Sequence, residues 1–264
     1  MVAIPDSVKA VSFDIFDTAL VRFWARPHDV FHQLEHELSV QDARWSGFAR
    51  QRIDAEFELR KSNGFTAEVT LADIYGVVGS RMGFADADIA RAMELELALE
   101  QEAITANPDV SSQIGEIRTS GRRILFMSDI YLPREFVARL LEKNALLGPV
   151  DGLYVSSEVG LQKSTGALFD HVLAKEGLKP AELLHIGDSQ AWDVDMPRKR
   201  GVRALHYEQS KLSRYEENLL HGISADSLKL SRFAGAVRFA RLSCPYDNLQ
   251  SRTVWRLPQM CPGR

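Results

Sequence analysis

Two rhythms of apolar and polar residues divide the chain. Around Val11-Ser12-Phe13-Asp14 a short apolar run reads as a buried strand that ends at a carboxylate, with Asp17 and Thr18 close behind. From Arg22 to about Asn107 strand-like runs disappear and helical spacing takes over. Val30, Phe31, Leu34 and Leu38 form an apolar stripe just after Pro27, a residue suited to a helix start. Phe48, Ile53 and Phe57 lie on a second predicted helix, 48–61, that closes at Asn63-Gly64. Segments 70–78 and 86–104 give two more, and Asn107-Pro108 ends the helical stretch.

From Pro108 the pattern becomes a regular alternation. Predicted helices 108–120, 133–143, 165–175 and 191–200 separate apolar strands 123–128, 152–156, 183–187 and 202–206. Continuous apolar strands alternating with helices predict an α/β fold whose parallel sheet carries helices on both faces. Crossovers in such a sheet are right-handed and ligands gather at the carboxyl ends of its strands, where Asp14, Ser128 and Gly187-Asp188 all fall. The expected layout is a core from 1–21 and 108–208, an inserted helical domain over 22–107, and a helical extension or linker over 209–264. Within that extension, 219–239 should hold one or two helices, and the stretch with Pro245, Pro258 and Pro262 reads as a linker or a cut end.

Composition narrows the class. At 264 residues and 45% hydrophobic side chains, the chain has material for a sizeable core. A net charge of −4 with scattered basic residues lacks the field of a nucleic-acid binder. No run approaches the roughly 18 apolar residues of a membrane span, and Met1-Val2-Ala3-Ile4-Pro5-Asp6 lacks the order of a signal peptide. Cys244 and Cys261 make no disulfide framework and fit a reducing compartment. The expectation is a cytoplasmic protein with no nucleic-acid partner and no membrane span.

An unpaired carboxylate against a buried strand costs on the order of several kcal/mol, so Asp14 calls for a cation, a set of donors or a catalytic role. Three other pieces fit beside it. Ser128 ends a predicted strand; Lys163 stands in Gly160-Leu161-Gln162-Lys163-Ser164-Thr165-Gly166 just before a helix; Asp188 follows Gly187 at a strand-to-helix turn, with Asp193 farther along. Singly they read as a strand-end serine, a surface lysine and a capping aspartate. Together, in this order and at these strand ends, they resemble the four motifs of the haloacid dehalogenase-like (HAD) superfamily, which is dominated by magnesium-dependent phosphatases. The resemblance spans about residues 11–206 and sets 22–107 in the place of that family's first type of cap domain.

The resemblance implies a Rossmann-like core with a helical cap, and it implies roles. Asp14 would be the nucleophile that forms an aspartyl-phosphate. Mg2+ would be held by Asp14, the main-chain carbonyl of Phe16, Asp188 and Asp193. Ser128 and Lys163 would hold phosphoryl oxygens, with Thr18 in the same substrate-binding set. One position departs from the pattern: the family's phosphatases carry a second Asp two residues after the nucleophile, where this chain has Phe16. Asp17 is one residue out of register, and along an extended chain that turns a side chain to the opposite face, so it is not expected to inherit the acid/base role. The dehalogenase branch also has an aromatic there, but works without metal, whereas Gly187-Asp188-Ser189 with Asp193 suits one.

A magnesium-dependent phosphohydrolase of a small phosphorylated metabolite is therefore the first reading. A metal-independent dehalogenase and a catalytically weak binding domain are the alternatives. Phe13-Asp14-Ile15-Phe16-Asp17-Thr18 with Ser128-Asp129-Ile130-Tyr131-Leu132-Pro133 resembles, more specifically, a bacterial HAD subgroup associated with glycosyltransferases and surface-polysaccharide synthesis. That implies a sugar phosphate and a glycosyltransferase domain or partner. His28, His32 and His36 share one helix face and read as half-exposed surface rather than a metal site. Of Arg22, Arg26, Arg44, Arg50 and Arg52, most are expected as solvated charges and one or two as contacts to an anionic substrate. Trp24, Trp45 and His185 are expected to be packed.

Overall fold

Short runs with apolar side chains on both faces have no face to give to water, and stacking them into one parallel sheet satisfies both. The structure, a computed structural model, describes residues 4–221 and 226–244. In chain order, β1 (Ala10–Asp14) is followed by β2 (Leu20–Arg22), by helices α1 (Asp29–Gln41), α2 (Phe48–Ser62), α3 (Leu71–Met82) and α4 (Asp86–Ala103), and by β3 (Ile104–Ala106). The alternating part then runs α5 (Pro108–Thr119), β4 (Arg123–Ser128), α6 (Arg134–Lys143), β5 (Gly152–Val155), α7 (Ser156–Val159), α8 (Ala167–Glu176), β6 (Leu183–Gly187), α9 (Met196–Lys199) and β7 (Arg203–His206). Helices α10 (Arg214–Leu219) and α11 (Ser227–Leu242) close the described chain.

The main sheet has five strands in the order β5-β4-β1-β6-β7, every neighbouring pair parallel. Strand parity sorts the side chains. Val11, Phe13, Ile124 and Phe126 enter one apolar cluster, while Ala10, Leu125 and Met127 enter another with Leu168 and Phe169 of α8. Both faces are therefore covered, as the continuous apolar runs predicted. Because β1 is central, its carboxyl end lies between those of β4 and β6, which brings the three predicted strand-end positions together.

The helical insert does not build a core apart from the sheet. Leu34 and Leu38 of α1, Phe48 of α2 and Tyr75 of α3 belong to the same cluster as Phe13 and Ile15. A short antiparallel ribbon joins insert to sheet, with Leu20 opposite Ala106 and Arg22 opposite Ile104. Three-residue strands of this kind give no periodic signal and were not expected from the sequence. Trp24 and Trp45 are buried as expected, and Arg26, Arg44 and Arg50 are exposed. Arg52 is instead wholly buried. It holds Glu96 through two bonds of 3.0 Å, with its guanidinium 4.4 Å from the Phe31 ring and 4.5 Å from that of Tyr131. A buried guanidinium is tolerable only when paired and stacked in this way.

On α1 the buried side chains are Val30, Phe31, Leu34 and Leu38. His28, His32 and His36 face solvent, and among the described residues no potential metal-binding group contains them. The expected helix over 191–200 is a wider π-helical turn, Gln190–Asp195, that passes into α9. Residues 245–264, with the three prolines and Cys261, lie outside the described residues. No helix among the described residues is long and apolar enough to cross a membrane.

Candidate active site

Asp14 ends β1, and the chain turns back at once. The amide of Ala19 donates to the Asp14 carbonyl at 3.3 Å and that of Leu20 to the Ile15 carbonyl at 2.7 Å. This compact loop carries Phe16, Asp17 and Thr18. Asp17 has φ +58°, a left-handed conformation, so strand alternation no longer governs its direction. Its charge is one of those that raise Asp188. Thr18 is wholly buried: its hydroxyl has no partner among the described residues, and its carbonyl accepts from Asn107 at 2.8 Å. Phe16 is half-buried, with the Arg22 guanidinium 4.7 Å from its ring centre.

Lys163 arrives from the loop between α7 and α8. Asp129, next to Ser128, fixes that loop by accepting from the amides of Lys163 at 2.7 Å and Ser164 at 3.2 Å. The ammonium is 2.5 Å from Asp14 Oδ1 and 2.6 Å from Asp193 Oδ1. Asp193 comes from the π-helical turn, and glycine at 187 makes room for it. A Cβ at Gly187 would stand 2.4 Å from the Asp193 carboxyl carbon. Behind Asp193, His185 Nε2 lies at 3.0 Å and His185 Nδ1 lies 2.8 Å from the Ser12 hydroxyl. Burial holds His185 below its usual pKa; neutral, it donates from Nε2 to the carboxylate and accepts from Ser12 at Nδ1. Ser128 is 3% exposed at the end of β4, one residue beyond the position paired with Asp14.

The carboxylates of Asp14, Asp188 and Asp193 each offer an oxygen, all within 4.8 Å of one another. Burial raises Asp14, with Lys163 opposing. Asp193 stays well below the usual range because Lys163 and His185 outweigh its burial. Lys163 remains charged because Asp14, Asp193 and Asp129 outweigh its own burial. At Asp188 the balance goes the other way: burial and the charges of Asp17 and Asp193 outweigh Lys163 and push it up to about 7. A divalent cation would supply the missing positive charge, and an all-carboxylate oxygen set suits a hard ion, so these residues fit Mg2+.

The structure thus brings Asp14, Lys163, Asp188 and Asp193 into one cluster with Ser128 at its edge, and sets the Thr18 hydroxyl away from solvent. Neither the loop-fixing role of Asp129 nor the Ser12–His185 pair was expected from the sequence. The signal for the latter existed, because Ser12 and His185 are polar residues at matched register in two otherwise apolar neighbouring strands.

No family model and no curated protein matches the chain. Solved structures do. A 2-haloacid dehalogenase from Pseudomonas syringae pv. Tomato DC3000 is similar at 16% identity and a TM-score of 0.59, over 78% of this chain and 89% of that one. A haloacid dehalogenase-like hydrolase from Xanthomonas campestris is similar at 15% identity and a TM-score of 0.53, over 91% and 96%. A HAD hydrolase from Bacillus subtilis, bound to magnesium, is similar at 16% identity and a TM-score of 0.53, over 76% and 89%. The chain thus carries the Rossmann-like α/β fold of the HAD-type hydrolases.

Proposed function

We propose that this protein is a magnesium-dependent phosphohydrolase that acts on a small phosphorylated metabolite through Asp14. The observation that carries the reading is the Lys163 ammonium between Asp14 and Asp193, inside a cluster of three carboxylates. A buried nucleophile is held ready by one cation while the cluster keeps room in its charge balance for a second. Asp14, Asp188, Asp193 and the Phe16 carbonyl would hold Mg2+, which when bound lowers the repulsion between a carboxylate and a phosphate.

An Asp14 oxygen attacks phosphorus, the ester P–O bond breaks, and the leaving oxygen takes a proton from solvent water. Oδ1 is engaged by Lys163, while no hydrogen bond is made to Oδ2 among the described residues. Water then attacks phosphorus and gives a proton to solvent, the bond to Asp14 breaks, and inorganic phosphate departs. Lys163 and Ser128 balance and orient the phosphoryl oxygens throughout. With Phe16 where a carboxylic acid would stand, substrates whose leaving group needs little protonation are favoured.

The test is a panel of aryl, acyl and sugar phosphates assayed with Mg2+ and with chelator. Metal-dependent release of phosphate is expected, aryl and acyl phosphates reacting ahead of simple alkyl phosphates. Sugar phosphates are in the panel because of the resemblance carried by 13–18 and 128–133, and as alkyl-type esters they are expected to react behind the aryl and acyl phosphates. Turnover of haloacids that survives chelation would replace this reading with the dehalogenase one, to which the aromatic Phe16 corresponds.

Asp188 also gives a pH signature. Its folded pKa of about 7 lies above the ordinary value of 3.8, so the folded protein binds the extra proton. The sign follows: metal-free stability falls as pH rises through that interval, and Mg2+, which needs the carboxylate, binds more tightly over the same rise. The difference in Tm between Mg2+-saturated and chelator-treated protein should widen from about pH 5.5 to about pH 8. A difference independent of pH would place the cation elsewhere.

A further inference from the structure

Arg238, on α11, lies outside every motif that carries the chemistry, yet it is 4% exposed and its guanidinium reaches the loop after β1. One terminal nitrogen donates to the carbonyls of Arg22 at 2.8 Å and Trp24 at 3.0 Å. The other donates to the Ser210 carbonyl at 3.3 Å and stands 3.6 Å from Asp17 Oδ1. On the opposite side, Arg22 stands 3.7 Å from Asp17 Oδ2 while its Nε donates to Glu100 at 3.1 Å. Each oxygen of Asp17 thus faces one guanidinium. The Ser210 hydroxyl donates to the Asp17 main-chain carbonyl.

These contacts converge on a residue in an unfavourable backbone region. A left-handed conformation is costly for a side chain with a Cβ and persists where surroundings over-determine it. The surroundings are themselves rigid, because α11 is seated directly on the segment that leads from sheet to insert. A Cβ at Gly235 would stand 2.1 Å from the Phe23 carbonyl oxygen, and the Ala25 amide donates to the Ser231 hydroxyl at 2.9 Å. No substitution at Gly235 leaves that approach intact.

We propose that Arg238 is a positioning residue: by holding Asp17 in its left-handed conformation it sets the loop that presents Asp14. Its kinetic consequence rests on the phosphohydrolase reading; its structural consequence does not. Helix α11 on this view positions the loop after β1 without contributing a group to the carboxylate cluster.

The experiment combines amide hydrogen exchange with steady-state kinetics on the full chain and its Arg238→Met, Arg238→Lys, Asp17→Asn and doubly substituted variants. In Arg238→Met, amides of residues 15–20 should exchange faster while those of β6 are unchanged. Its kcat should fall about tenfold to a hundredfold with KM little altered, since misplacing a reacting group by about 1 Å is enough for that. Arg238→Lys, which keeps a cation beside Asp17, should recover most of the rate. Asp17→Asn should reproduce the loss, and the double variant should be no slower than the worse single one. Wild-type exchange at 15–20 together with wild-type kcat, or losses that multiply in the double variant, would overturn the proposal. If Arg238→Met does not fold, Ser210→Ala carries the test: it should speed exchange over 15–20 and lower kcat, and no change in either would overturn the proposal. If the wild-type chain hydrolyses no phosphate ester, the phosphohydrolase reading fails while the exchange data still judge the positioning role.

Discussion

Asp14→Asn is expected to lower kcat by at least about 10^4-fold, because it removes the attacking oxygen rather than an auxiliary group. The fold should tolerate it. Asn keeps the shape and an acceptor for Lys163, which retains Asp193 at 2.6 Å. Burial disfavours the Asp14 carboxylate, so the neutral replacement should leave Tm unchanged or raise it. Rate and stability moving apart is the signature of a functional carboxylate held at an energetic cost. A fall in Tm alongside a modest fall in kcat would instead mark Asp14 as a structural partner of Lys163.

The second large effect is expected at Lys163, and there the two quantities should fall together. Lys163 is the ammonium shared by Asp14 and Asp193, and all three side chains are nearly excluded from solvent. Lys163→Met leaves these carboxylates and Asp188 without their countercharge. Breaking a buried pair from one side lowers the unfolding free energy by about 3–5 kcal/mol, to be read by denaturant titration of metal-free protein. The kcat should drop about 10^2- to 10^3-fold, as for loss of a preorganised charge facing a transition state. Added Mg2+ should return part of the stability, because it restores positive charge to the cluster, and little of the rate. Rescue of both would mean that Lys163 serves only to balance charge.

Much of this site was legible because its chemistry is local in sequence. Asp14, Ser128 and Asp188 end or follow apolar runs, and strand-end polarity survives any error of a residue or two in the boundaries. What escaped was decided by tertiary contact. Strand alternation does not govern Asp17, because the strand ends before it and its φ is positive, and its carboxylate faces Arg22 and Arg238. The β2–β3 ribbon is too short to have a period. Arg52 looks like any charged helix residue until Phe31, Tyr131 and Glu96 close around it. Arg238 lies far along the chain from Asp17 and was legible only as one basic residue in a faint helical stretch.

Phosphoryl transfer through Asp14 requires a transient covalent bond between phosphorus and this carboxylate. Rapid quenching during turnover of a reactive aryl phosphate with Mg2+, followed by peptide mass spectrometry, should find a phosphoryl group on Asp14, and none on the Asp14→Asn variant. Run in 18O-labelled water, the same reaction should place the label in released phosphate and not in the Asp14 carboxylate, since water attacks phosphorus. Label incorporated into Asp14 would mean that water attacks the carboxyl carbon of an ester intermediate, and would contradict phosphoryl transfer through this residue.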